Sequence, residues 1–334
     1  MVYFIEGGPF SIRKSLDFVW DTIEEEFRKG KFTKLLILDD GGDIWLSIPQ
    51  ERFPDLKIAG VEQTQRGITR LLANNKINFP IVSVASSGIK KIIEADFIGR
   101  YIVQKLFQKN IINHLNQVGI IGAGSIGWGV FEELKKLGFK PNIYDSSNYL
   151  NKKSNIASLD QLINSSDIVI GTTGTDCLKG IAFDRIHGSK ILVSASSSDI
   201  EFSSLLKIKQ PNHEPFGTIT VNIHDQLKFY ILNGGFPFNF DREGNASPTQ
   251  DIVLTRALLY AGIMQAAEAL ENNQKNDTYM LDKKVQRKLL QAWINYKQEI
   301  GETIKEEFKN IEEIVGFSSL DAEFLKELPS TWED

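Results

Sequence analysis

The sequence predicts an α/β protein in which a doubly wound parallel sheet is inserted into a second, discontinuous α/β domain. Two observations predict it. Between residues 118 and 232, apolar runs of strand length alternate with stretches of helical spacing, the pattern of a parallel sheet covered on both faces. A strand–turn–helix signature, Val118-Gly119-Ile120-Ile121-Gly122-Ala123-Gly124-Ser125-Ile126-Gly127, lies mid-chain with more than a hundred residues before it. At 334 residues the chain is also long for one core, so two domains are expected.

The elements follow in order. Leu35-Leu36-Ile37-Leu38, closed by Asp39-Asp40-Gly41-Gly42-Asp43, reads as a buried strand feeding a turn. Residues 80–84, closed by Ser86-Ser87-Gly88, read as a second strand, with a short helix over 63–74 between them. Ile98, Ile102, Leu106 and Ile111 have helical spacing and lead into the glycine turn. The first domain crossing is therefore placed near Asp96, dividing the chain into 1–97 plus 246–334 and 98–245. After the turn, Val130, Leu134 and Leu137 fall on one helix face and Gly138 stops it. Ile143-Tyr144-Asp145, Ile168-Val169-Ile170 and Ile191-Leu192-Val193 are the next strands, the last two each after helix-like sequence. Residues 218–221 and 229–232 complete the sheet. Asn233-Gly234-Gly235-Phe236-Pro237 ends the alternation, and past Pro248 the chain reads as helical to near its end. Val285, Leu289, Trp293, Ile300, Ile304, Phe308 and Ile311 form a long apolar stripe there, suited to a core or to the interface of a homo-oligomer.

Composition excludes several classes. Hydrophobic content of 42% and charged content of 24% are ordinary for a globular enzyme. The net charge of −5 offers no basic field to nucleic acid. Cys177 is the single cysteine, and with the four histidines it forms no metal-ligand spacing. Met1-Val2-Tyr3-Phe4-Ile5-Glu6 has no basic segment or long apolar stretch, so no secretory signal is expected. No uncharged apolar run is long enough to span a bilayer without glycines breaking it, so no membrane span is expected, and a cytoplasmic location is.

Gly122, Gly124 and Gly127 fit G-x-G-x-x-G, the fingerprint of a dinucleotide-binding Rossmann domain. Gly122 permits the tight turn, Gly124 the approach of a pyrophosphate, and Gly127 the packing of helix on strand. The helix start at Ser125 and Ile126 offers N–H groups and a partial positive charge to the phosphates. Asp145 lies 23 residues past Gly122, where an acid accepts hydrogen bonds from ribose hydroxyls and repels a 2′-phosphate. NAD is therefore expected rather than NADP. A hydrolase elbow, G-x-S-x-G, fails at Ala123. Thr172-Thr173-Gly174 falls at the carboxyl edge of the same sheet.

The flanking segments resemble S-adenosyl-L-homocysteine hydrolase (adenosylhomocysteinase). Ile37-Leu38-Asp39-Asp40-Gly41-Gly42-Asp43 and Gly60-Val61-Glu62-Gln63-Thr64-Gln65-Arg66-Gly67-Ile68-Thr69-Arg70-Leu71 carry the resemblance, the second against a family Glu-Glu-Thr-Thr-Thr-Gly. Residues 84–95, Thr172-Thr173-Gly174, Asp199-Ile200-Glu201 and Gly235-Phe236-Pro237-Phe238-Asn239 continue it in the family's order, over residues 35 to 250. The resemblance implies that bound NAD oxidises a ribose 3′-hydroxyl, which acidifies the neighbouring C–H. A 5′-thiol then leaves, water adds, and the hydride returns. It implies Lys90 as the catalytic lysine, Asp40 in proton transfer, Glu94 on a substrate-binding acid, Thr64 near nicotinamide and ribose, and Asn239 at the carboxamide. By themselves Lys90 and Lys91 read as solvated lysines at a helix start, and Asp40 as a turn cap.

Other positions depart from the family. Gln63 replaces a substrate-binding Glu, Ala85 and Ala95 replace Asn, and Ser197 stands where a His is expected. Ser247-Pro248 stands near an expected His-Pro, and the N-terminal His-Met-Thr and C-terminal Lys…Tyr segments have no counterpart. An imidazole is the usual proton shuttle near neutral pH, and Ser is no substitute. The expectation is thus a shortened, diverged relative with a retained cofactor half and a rewritten substrate half, acting on a nucleoside-like small molecule. A non-catalytic NAD- or adenosine-binding relative and a plain NAD-linked dehydrogenase are the alternatives.

Overall fold

The computed structural model describes residues 12–74, 78–114, 116–146, 156, 158–196, 200–207, 216–239 and 249–317. In chain order the strands are β1 (Lys34–Asp39), β2 (Lys57–Glu62), β3 (Ile81–Ser83), β4 (Val118–Ile121), β5 (Asn142–Tyr144), β6 (Ile168–Gly171), β7 (Gly188–Ser194), β8 (Ile219–His224), β9 (Leu227–Ile231) and β10 (Thr278–Met280). The helices are α1 (Ile12–Arg28), α2 (Asp43–Ser47), α3 (Gln65–Asn74), α4 (Ala95–Gln108), α5 (Ser125–Lys136), α6 (Leu159–Asn164), α7 (Ser203–Leu206), α8 (Thr249–Glu271), α9 (Lys283–Glu299) and α10 (Ile311–Gly316). They divide into two compact units, Met1–Ile93 with Ile252–Asp334, and Glu94–Asp251.

The first unit holds a four-stranded, all-parallel sheet in the order β1-β2-β3-β10. Its last strand comes from the far end of the chain, so the unit is discontinuous. Ile37, Ile58, Ile68, Leu71 and Ile81 pack with Trp20, Trp45 and Phe53 into its core. Three sequence expectations need correction here. The strand over 35–38 is not buried on both faces: β1 is an edge strand, and Leu36 and Leu38 are 42% and 45% exposed. The chain past Pro248 is not helical throughout, because β10 intervenes between α8 and α9. The apolar stripe is not one helix either. α9 ends at Glu299, Gly301 follows with φ 74°, and Ile304 and Phe308 are buried beyond that break while Ile300 is exposed.

The second unit is the doubly wound sheet, in the order β5-β4-β6-β7-β9-β8. Every pairing is parallel except the edge hairpin of β8 with β9. Strand side chains alternate between faces. Ile120, Ile168, Ile170 and Val193 join Ile102, Leu106, Val130 and Leu134 of α4 and α5 on one face. Ile121, Val169 and Leu192 join Leu162, Phe202 and Phe229 on the other. All four residues of β4 and of β6 are buried, as strands covered on both faces must be. The helical stretch expected before β7 is only a short 3-10 turn, Phe183–Arg185, among the described residues. Leu137 caps α5 and is 40% exposed rather than core.

α4 and α5 meet backbone to backbone. A Cβ on Gly99 would lie 2.5 Å from the Gly129 carbonyl carbon and 2.6 Å from the Val130 nitrogen. Neither atom can yield without moving a helix. Gly99→Ala should therefore lower the stability of the chain by about 2 kcal/mol despite alanine's better helix propensity. A urea titration checks this, and an unchanged midpoint would mean the helices sit further apart.

Candidate functional site

In the second unit the strand order reverses beside β4. β5 lies on one side of it and β6 on the other, and a doubly wound sheet opens its ligand crevice at such a point. The chain leaves β4 at Gly122 with φ +106°, a conformation that excludes most side chains. The Gly122 N–H donates to the Tyr144 carbonyl at 2.8 Å, and the Thr172 N–H to Ile121 at 2.8 Å. The Thr172 hydroxyl lies 3.1 Å and 3.0 Å from the Ile121 and Gly122 carbonyls, so it locks the turn. A Cβ on Gly127 would sit 1.9 Å from the Gly122 oxygen, which brings the first turn of α5 against the loop. Gly124 is the contrast: among the described residues, nothing lies within 4 Å of its missing Cβ. Among the described residues no side chain caps α5, and the amides of Ser125 and Ile126 at its start have no partner inside the helix. A closed turn, an open Gly124 and an uncapped helix start fit the pyrophosphate of a dinucleotide.

Asp145 follows β5 directly, and its Oδ2 accepts the Ala123 N–H at 2.7 Å. The carboxylate thus stands at the turn. Across the turn, the Thr173 and Gly174 amides are held by the buried Glu201. Asn239 is buried as well. The Phe238 N–H beside it donates to the Ser194 carbonyl at 2.8 Å, which puts Asn239 at the carboxyl end of β7.

In the first unit the parallel pairing brings the carboxyl ends of β1, β2 and β3 to one edge. Asp39 and Asp40 follow from β1, Glu62, Gln63 and Thr64 from β2, and the turn leading to Lys90 from β3. Asp39 is buried, and its carboxylate accepts the Asp40, Ile44 and Trp45 amides at 2.8, 3.0 and 3.1 Å. Burial raises its pKa against those three hydrogen bonds. Asp40 is exposed, and its Oδ2 accepts from Gln63 Nε2 at 2.7 Å. The Thr64 hydroxyl donates to Glu62 at 2.7 Å and accepts the Gly67 N–H at 3.0 Å. Lys90 opens a π-turn, Lys90–Glu94, and its N–H donates to the Ser87 hydroxyl at 3.2 Å. Glu94 ends that turn and belongs to the second unit.

The sequence reading overlooked Glu62. It is fully buried, and Oε1 accepts the Gly41 N–H at 3.2 Å, the Thr64 N–H at 2.8 Å and the Thr64 hydroxyl. Oε2 is buried without a hydrogen-bond partner among the described residues. A Cβ on Gly67 would lie 2.1 Å from its Cδ, so glycine there makes room for the carboxylate. Burial pushes its pKa up to about 7, with Asp39 nearby adding to the rise. An acid at the end of a strand, followed by a helix-capping Thr64, was the available signal. Glu201, in the segment Asp199-Ile200-Glu201, reads from sequence only as part of an acidic pair, yet it anchors the Thr173 loop. Ser197, Asp199 and Ser247-Pro248 lie outside the described residues.

Residues 99–176 match the family model of the NAD binding domain of D-isomer specific 2-hydroxyacid dehydrogenases. That stretch contains the glycine turn, Asp145 and Thr172-Thr173, and its cofactor is NAD. An uncharacterized protein of Mycobacterium tuberculosis is 27% identical over 253 residues, 74% of this chain and 49% of the relative. The chain thus spans about half the length of that relative. The adenosylhomocysteinase of Sulfolobus acidocaldarius is 22% identical over 280 residues, 78% of this chain and 67% of that protein. A crystal structure of NAD-dependent formate dehydrogenase from Staphylococcus aureus in complex with NAD aligns with a TM-score of 0.40 and 17% identity, over 76% of this chain and 83% of that one. The match of residues 99–176 makes the second unit an NAD-binding Rossmann unit, and 78% of the chain is similar to an adenosylhomocysteinase.

Proposed function

We propose that the chain is an adenosylhomocysteinase-like enzyme that uses resident NAD to oxidise a ribose-type secondary hydroxyl transiently, on a nucleoside-like substrate. The observation that carries this is the single sheet edge in the first unit that gathers Asp40, Thr64 and the Lys90 turn, in a chain that also holds an intact NAD turn. Similarity to an adenosylhomocysteinase over 78% of the chain supports it. Gly122, Gly124, Gly127, Ser125, Ile126 and Asp145 would hold the cofactor, with Thr172 and Thr173 positioning the loop beside it. NAD would supply a hydride acceptor for the alcohol carbon and give the hydride back before product leaves. Lys90 would take the hydroxyl proton, and Asp40 would handle the proton of the acidified neighbouring C–H. The Gln63 amide bonded to Asp40 replaces the family's second Glu, so the substrate differs from S-adenosylhomocysteine at the groups that acid would bind.

Lys90→Ala tests the proposal. Reduction of bound NAD by a panel of nucleosides, followed as NADH absorbance, should fall by on the order of a hundredfold, while NAD affinity by calorimetry stays unchanged. An unaltered reduction rate, or no reduction of the wild-type cofactor by any nucleoside, would sink it. The match of residues 99–176 to a dehydrogenase domain favours a second reading, a plain NAD-linked dehydrogenase. Release of NADH into solution in proportion to substrate consumed distinguishes that reading.

A further inference from the structure

Glu201 has no role in the chemistry above, yet it is among the most constrained side chains of the second unit. It is 0% exposed. Oε1 accepts the Thr173 N–H at 2.7 Å and the Thr173 hydroxyl at 2.8 Å, and Oε2 accepts the Gly174 N–H at 2.9 Å. The Ser196 side chain bonds it as well. Its own carbonyl accepts the Cys177 N–H at 3.0 Å, which ties down the far end of the same loop. The strand beneath makes room: a Cβ on Gly171 would lie 2.4 Å from Glu201 Cγ. A carboxylate facing two successive amides fixes the backbone between them. Charge-assisted bonds of this kind are roughly twice as strong as neutral ones.

Topology says which part of the cofactor that loop meets. In the order β5-β4-β6-β7, Asp145 follows β5 on one side of the glycine turn and the Thr172-Thr173-Gly174 loop follows β6 on the other. A dinucleotide crosses the sheet edge at this reversal, with its adenosine ribose at the acid after the second strand. The nicotinamide half then extends toward β6. We propose that Glu201 is a positioning residue for NAD, holding the Thr172-Thr173-Gly174 loop in the conformation that receives the nicotinamide half. The adenosine half depends instead on Asp145 and the glycine turn. This rests on NAD as the cofactor of the second unit and is independent of the hydrolase chemistry.

Calorimetric titration of the full chain with NAD and, separately, with AMP tests it. In Glu201→Gln the carboxamide keeps one acceptor oxygen and turns an NH2 toward the Gly174 N–H. NAD affinity should fall about tenfold, the scale of one charge-assisted hydrogen bond, while AMP affinity stays within about twofold. Thr173→Val keeps the side-chain shape and removes only the hydroxyl. It should show the same selectivity at about threefold and carries the comparison if Glu201→Gln does not fold. Equal weakening of NAD and AMP would make Glu201 a purely structural residue, and unchanged NAD affinity would remove it from the cofactor site. Either result overturns the proposal. Failure of the wild type to bind NAD overturns it too, through the cofactor itself, whereas absent nucleoside turnover leaves it intact.

Discussion

Gly127→Ala is expected to cost the chain its NAD affinity, by on the order of a hundredfold, and to lower its stability as well. The added methyl would stand 1.9 Å from the Gly122 carbonyl oxygen and 2.6 Å from the Thr172 hydroxyl. The hydroxyl can rotate away, but the carbonyl cannot. Gly122 is held by its N–H to Tyr144, and Thr172 by its N–H to Ile121. The clash must therefore be relieved by moving the first turn of α5, which carries the Ser125 and Ile126 amides out of register with the loop. Overpacking of this kind costs about 1–3 kcal/mol, and here the cost falls on the phosphate cradle itself. Gly124→Ala separates the two effects. Its methyl meets nothing within 4 Å among the described residues, so stability should hold while the methyl obstructs the pyrophosphate. Calorimetric NAD titration and urea midpoints on both variants check the pair. Full NAD affinity in Gly127→Ala would place the cofactor elsewhere.

Those glycines were legible in the sequence because their constraints are local. A strand, a tight turn and a helix start occupy ten consecutive residues, and Gly127 answers to the Gly122 oxygen within that same stretch. Asp145 was legible for the same reason, as the residue ending the next strand. β10 was not, because three residues carry no periodicity and its partner β3 lies almost two hundred residues earlier. β2 was hidden too, since Ala59 and Gly60 dilute its apolar signal, although all but its first residue is buried. The same holds for the carboxylates. Asp40 was noticed within a motif, but the burial of Asp39, Glu62 and Glu201 arises from long-range packing. A buried acid and a solvated acid look identical in a sequence. Only the missing Cβ atoms of Gly67 and Gly171, each filled by a carboxylate side chain, record the difference.

Stability should fall by about 3 kcal/mol as pH rises from about 5 to about 9 through Glu62 alone. Two effects oppose each other at this side chain. Three donors on Oε1 favour the ionised form. Burial, an unpartnered Oε2 and the nearby Asp39 favour the protonated form, and they prevail, since the pKa rises from 4.5 to about 7. Between those values the folded chain keeps a proton that the unfolded chain has lost. The stabilisation is therefore complete below pH 4.5 and disappears as pH rises through about 7. Asp39 and Glu201, both raised by burial, push in the same direction, so wild type alone does not isolate Glu62. Glu62→Gln does. Its carboxamide oxygen keeps the Gly41 and Thr64 donors, and it cannot ionise. Urea titrations should find the variant close to wild type at about pH 5 and about 3 kcal/mol more stable at about pH 9. The opposite slope, with wild type gaining on the variant as pH rises, would mean that the three donors outweigh burial and Glu62 is ionised throughout. In the protonated form Oε2 becomes a donor, and the Thr64 hydroxyl is held by a neutral acid rather than by a full charge. The titration of Glu62 would then change the charge behind Thr64 across the neutral range.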